Sequence, residues 1–135
     1  MCALQNRSRG KMLRTIGVWM LAFAALGRTA LAGDTPAELD ALIAQYANAN
    51  GMRVEFVRQV IRRESNFNPR LIDHGNYGLM QIRLSTARSL GYSGSAEGLL
   101  DPTTNMTYGM RYLAGAYRAA KGNEARTLVL YSHGY

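Results

Sequence analysis

The chain has 135 residues, with 16 Lys and Arg against 9 Asp and Glu, 47% hydrophobic content and one cysteine, a length that suits one domain. A net charge of +7 would favour nucleic acid or an anionic surface if it were spread through the fold, but five of the basic residues (Arg7, Arg9, Lys11, Arg14 and Arg28) lie in the first 32 residues, which hold no acid. The remainder carries 11 basic and 9 acidic residues, with no Arg/Lys cluster interleaved with aromatics, which reads against a nucleic-acid partner.

The basic segment has the three parts of a secretory signal: Arg7 to Arg14, the apolar run Ile16 to Leu26, and Ala30-Leu31-Ala32 before Gly33. The apolar run falls short of the roughly 20 residues needed to span a bilayer. Residues 1–32 are therefore expected to be a signal peptide cleaved after Ala32, delivering residues 33–135 to the periplasm or the exterior. That cleavage would remove Cys2 and Trp19, leaving no cysteine for a disulfide or a thiolate metal site.

Beyond Gly33 the periodic signals are helical, and no alternating Val/Ile/Thr-rich run predicts a sheet. The expected fold class is all-α, a bundle of about five short helices. Thr35-Pro36-Ala37-Glu38 carries a capping hydroxyl, a first-turn proline and a glutamate three residues after the cap. Leu39, Leu42, Ile43 and Tyr46 follow at helical spacing, and Asn50-Gly51 is the stop. A second helix is expected over Val54 to Ser65, ended by Asn68-Pro69. After a loop rich in Asn and Gly, Ser85 or Thr86 is expected to cap a short helix that stops at Leu90-Gly91. The segment Tyr92 to Leu100 reads as an exposed loop. Asp101-Pro102 opens a helix with an inner stripe of Met106, Gly109/Met110, Leu113 and Ala116/Tyr117, and Asn123 caps the last helix, through Leu128 and Tyr131.

One residue of the second helix breaks its pattern. At about 100° per residue, Ile61, Val57, Val60 and Phe56 form an apolar arc, while Arg58, Arg62, Glu55, Gln59 and Arg63 take the other side. Glu64 falls near the middle of the apolar arc. It must either meet a buried partner, as a structural ion pair, or sit in the floor of a cleft. In the second case apolar surroundings raise its pKa, so that it holds a proton near neutral pH and can deliver it as a general acid to the leaving oxygen of a glycosidic bond.

Glu64-Ser65-Asn66-Phe67-Asn68-Pro69 followed by Gly78-Leu79-Met80-Gln81-Ile82 resembles the motif pair of soluble lytic murein transglycosylases (SLT domains), whose fold is related to goose-type lysozyme. Further matches follow in order: Thr86-Ala87 with Leu90-Gly91, Leu100-Asp101-Pro102 with Asn105, Gly109 and Tyr112-Leu113, then Tyr131 with Gly134. The resemblance covers nearly the whole chain from about Tyr46. It implies cleavage of the β-1,4 bond between N-acetylmuramic acid and N-acetylglucosamine in peptidoglycan glycan strands, with a 1,6-anhydro product and no cofactor. Glu64 would serve first as acid and then as base. Met80 and Gln81 would line the sugar groove, Tyr131 would bring its hydroxyl near the carboxylate, and Tyr77 would stack on a sugar ring. Gln81 can alternatively tie the loop to a helix end, and Tyr77 and Tyr131 can be packing residues.

The chain also departs from the family pattern. Leu71-Ile72-Asp73-His74-Gly75-Asn76 is shorter than the usual connection, and an Asp73 turned into the cleft would give a second carboxylate and a water-using, muramidase-like reaction. His74 and His133 have no cysteine and no close fellow, so no metal is assigned. Arg83-Leu84 replaces a pair that is often apolar residue plus proline, which alters the charge of the groove. Ser132-His133 stands where many members have Asn, and the chain stops at Tyr135, where members usually continue with a closing segment. A naturally short member and a truncated frame both fit that ending. The reading from another class is a non-catalytic module, peptidoglycan-binding or accessory to a secretion machine, that keeps the fold without turnover. A monomer is expected.

Overall fold

The computed structural model describes residues 35–135, so the expected signal peptide, Cys2 and Trp19 lie outside the described residues. Among the described residues are five α-helices: α1 (Pro36–Ala49), α2 (Val54–Ser65), α3 (Leu84–Ser89), α4 (Pro102–Ala119) and α5 (Glu124–His133). Three two-residue strands, β1 (Ile72–Asp73), β2 (Asn76–Tyr77) and β3 (Ile82–Arg83), form an antiparallel sheet in chain order. The fold is thus mostly helical, with a small sheet where the sequence predicts none.

Local chemistry sets the boundaries of the helices. Thr35 accepts from the Glu38 amide at 3.2 Å while the Glu38 carboxylate accepts from the Thr35 amide at 3.0 Å, the reciprocal cap expected for α1. Asp101 accepts from the Thr104 amide at 2.7 Å to open α4, and Asn123 accepts from the Arg126 amide at 2.9 Å to open α5. α2 has the expected bounds but not the expected stop. Asn66 takes the left-handed conformation (φ 49°, ψ 42°) and Phe67 follows at φ 63°, so the helix ends before Asn68-Pro69 is reached. Phe67 then lies under the guanidinium groups of Arg58 and Arg62, 5.3 and 5.8 Å from its ring centroid. These two cation–π contacts help hold the left-handed turn.

Two other expectations are corrected. α3 begins at Leu84, with Arg83 at its cap position and no side-chain cap, so neither Ser85 nor Thr86 starts it. The expected exposed loop contains a 3-10 turn over Glu97–Leu100 whose Leu99 is fully buried. Leu99 joins Ile82 and Ala87 in a second small core, with Tyr77, Leu84 and Tyr108 packed against it.

The sheet arises from turn geometry. His74 (φ 47°) and Gly75 (φ 78°) are both left-handed between the paired residues Asp73 and Asn76, which is the turn that joins two strands with matched twist. β2 and β3 are joined by Gly78-Leu79-Met80-Gln81, with Gly78 (φ 70°) and Gln81 (φ 47°) again left-handed.

The main core lies where α4 meets α1 and α5 and where α1 meets α2. It contains Ile43, Phe56, Val57, Val60, Ile61, Leu79, Met80, Met106, Met110 and Leu113. Gly109 is the point of closest approach: a Cβ there would fall 2.6 Å from the Met80 sulfur and 2.7 Å from its Cβ. The missing side chain on α4 therefore seats Met80, and Met80 seats the β2–β3 loop.

Candidate active site

The β2–β3 loop is held from below by Asn105, a fully buried amide on the apolar face of α4. Its Oδ1 accepts from the Met80 amide at 2.8 Å, and its Nδ2 donates to the Tyr77 and Leu99 carbonyls, each at 2.7 Å. All of the strong hydrogen-bonding directions used are met by main chain, which locks the loop to α4 and to the 3-10 turn. Gly78 permits this approach, because a Cβ there would come within 2.4 Å of Asn105 Nδ2. A fourth tie comes from α5, where the buried Tyr131 hydroxyl donates to the Met80 carbonyl at 2.7 Å.

Above this loop is a groove of about 440 Å³. Its walls are Glu64 from α2, Asn76, Ile82 and Arg83 from the sheet, Gln81 from the loop, Thr86 from α3, Tyr112 from α4, and Tyr131 to Gly134 from the end of α5. Glu64 is the one carboxylate in that lining. It is the penultimate residue of α2 and is half-buried. Its helical neighbours Val60 and Ile61 are fully buried.

Among the described residues the ion pairs are Arg53 with Glu124, Arg58 with Asp40 and His74 with Asp73. Glu64 takes part in none of them, so the buried ion pair allowed by its helical position is not what occupies it. Burial pushes its carboxyl above the ordinary 4.5, against a smaller downward pull from Arg63. The phenol of Tyr131 is held well above 10, first by burial and then by the negative charge of Glu64. Tyr131 therefore remains a neutral donor to the Met80 carbonyl.

Of the residues singled out in the sequence, Glu64, Gln81 and Tyr131 come together here. Gln81 also braces its loop, with Nε2 donating to the Gly78 carbonyl at 2.9 Å and to the Leu71 carbonyl at 3.2 Å. Its Oε1 accepts no hydrogen bond from the described residues.

Met80, Tyr77 and Asp73 lie elsewhere. Met80 is fully buried beneath the groove, where it fills the space opposite Gly109. Tyr77 packs in the second core and offers its carbonyl to Asn105. Asp73 is exposed beside the hairpin turn, with one oxygen 2.6 Å from His74 Nδ1. Because β-strand neighbours point to opposite faces, a two-residue strand gives no pattern from which to tell which way its acid points.

Tyr112, visible in the sequence as part of the Tyr112-Leu113 match but given no role there, is a wall residue of the groove. Its ring stands 5.2 Å from that of Tyr131 and 5.1 Å from that of Tyr135, whose hydroxyl donates to the Tyr112 carbonyl at 3.0 Å. Asn105 was visible as a family match, and its place one residue before Met106 on the inner stripe is the same kind of polar anomaly as Glu64.

A helix-end carboxyl whose pKa is raised by burial thus shares one groove with the loop locked by Asn105 and with a tyrosine from the last helix. The transglycosylase SLT domain family matches residues 41–135, and the chain belongs to it. The chain is also similar to the peptidoglycan transglycosylase gp16 of Escherichia phage T7, with 30% identity over 105 residues. That match takes in 75% of this chain and spans about 8% of the length of the phage protein. No solved structure matches the chain.

Proposed function

We propose that the protein is a lytic transglycosylase that cleaves the bond between N-acetylmuramic acid and N-acetylglucosamine in peptidoglycan, on a fold related to goose-type lysozyme. The observation that carries this reading is Glu64, the single carboxylate that the described residues bring to the groove, with no second acid among them to activate water there. Family membership and the phage relative support the substrate class.

In the proposed reaction the protonated Glu64 donates its proton to the glycosidic oxygen as the bond from the muramic anomeric carbon breaks. The resulting carboxylate then takes the proton of the same sugar's 6-hydroxyl, whose oxygen bonds to the anomeric carbon. Glu64 ends protonated, water is not consumed, and the product carries a 1,6-anhydro ring. Burial raises the Glu64 pKa and so favours the protonated form that the first step needs. The Oε1 of Gln81, which accepts no hydrogen bond from the described residues, is an acceptor for a sugar hydroxyl or an acetamido N–H, and Tyr131, its hydroxyl bonded to the Met80 carbonyl, lines the same groove.

Export to the periplasm or exterior, by cleavage after Ala32, is part of this proposal and rests on the signal-like pattern of residues 1–32. Action as a monomer, alone or beside a secretion machine, belongs to the same reading.

The mass of the fragments released from purified peptidoglycan tests it. Muropeptides one water lighter than hydrolytic products support a transglycosylase. Ordinary reducing ends would mean a muramidase.

A further inference from the structure

Arg83 is the cation by which this groove departs from the family motif. It follows Ile82 in β3, is exposed, and lines the groove together with Asn76, its partner across the sheet. No described residue forms an ion pair, a side-chain hydrogen bond or a cation–π contact with it. Arg53 and Arg58 are paired with Glu124 and Asp40, Arg62 rests on Phe67, and Arg111 on Tyr108 and the Leu90 carbonyl; other arginines are also unpaired, but Arg83 is the one Arg or Lys among the described residues that lines the groove. Arg63, and not Arg83, is the cation that acts on the Glu64 carboxyl. An arginine that lines the groove and is committed to neither the fold nor the acid is left for whatever fills the groove.

The alternating strand presents two kinds of carboxylate, both on its muramic residues: the acids of the peptide stem, and the lactyl carboxylate exposed where a stem has been removed. A planar guanidinium matches either one with two parallel hydrogen bonds. Resting on the peptidoglycan reading above, we propose that Arg83 is a specificity-determining residue that binds a carboxylate borne by the muramic acid of the glycan strand, and so selects charged strands over neutral ones.

Binding measured in a Glu64→Gln background tests this without turnover. The probes are soluble strands with intact stems, strands stripped of stems by an amidase, and stem-bearing strands whose carboxylates are methyl esters. Adding Arg83→Gln is expected to weaken binding of a carboxylate-bearing strand roughly fivefold, with binding of the esterified strand unchanged and Arg83→Lys recovering part of the loss. The difference should shrink as salt is raised.

Loss confined to stem-bearing strands assigns the stem acids as the ligand, and loss confined to stripped strands assigns the lactyl group. Equal loss on the esterified strand, or no loss on either charged strand, overturns the inference and leaves the transglycosylase reading standing. Failure of the Glu64→Gln protein itself to bind any strand would overturn both.

Discussion

The Tyr131 hydroxyl donates a 2.7 Å hydrogen bond to the Met80 carbonyl across 51 positions of sequence, joining the last helix to the loop that carries Gln81. Met80 in turn receives Asn105 at its amide and faces Gly109 with its side chain. The site is therefore one of α4 and α5 gripping a loop, with Glu64 of α2 brought to its edge.

Tyr131→Phe leaves a buried carbonyl without its donor. The expected cost is about 2 kcal/mol of stability, read from urea unfolding, with a larger fractional loss of lytic activity than of stability-matched binding, because the loop that carries Gln81 loosens.

Gly78→Ala and Gly51→Ala separate strain from collision. Both positions have positive φ, but a Cβ at Gly51 meets nothing within 4 Å, whereas one at Gly78 meets Asn105 and the Leu99 carbonyl. Gly51→Ala should cost about 1 kcal/mol. Gly78→Ala should cost about 3 kcal/mol and depress activity as the loop shifts. Paired denaturation curves check both.

If Glu64 is the acid of the proposed reaction, its raised pKa places the loss of that proton at higher pH than for an ordinary carboxyl. The descending limb of the pH–kcat/KM profile should therefore lie above 4.5. Arg63 pulls the Glu64 pKa down, so Arg63→Gln should move that limb further up in pH. Profiles of the two proteins decide the direction.

The same shift bears on folding. Between the unfolded and folded pKa values of Glu64 the native state binds the proton more tightly, so stability falls as pH rises through that window. Above both values the buried charge is a standing cost. Glu64→Gln should therefore be more stable than the wild type at pH 7, and the gain should fade below the ordinary carboxyl pKa of 4.5, as measured by unfolding at both ends.

The caps of α1, α4 and α5 were legible because each is written in a few adjacent residues, Thr35 with Glu38, Asp101 with Pro102, and Asn123, whereas α3 starts without a side-chain cap at all. The place of Glu64 was legible because twelve residues of α2 give a strong period. The sheet was not, since His74-Gly75 supplies its turn and two-residue strands have no alternation to read. The end of α2 was set by Phe67 folding back under Arg58 and Arg62, a tertiary contact that outran the proline two residues later. Met80 reads as a groove residue within its motif, yet its burial depends on a glycine nearly thirty positions away.

The most direct test of the central claim is the release of soluble muropeptides from purified peptidoglycan by the wild type, Glu64→Gln and Asp73→Asn, each shown to be folded. Release abolished by Glu64→Gln and retained by Asp73→Asn, with 1,6-anhydro ends throughout, is the predicted result. Release that survives Glu64→Gln, or that vanishes with Asp73→Asn, would contradict a groove working through one carboxylate.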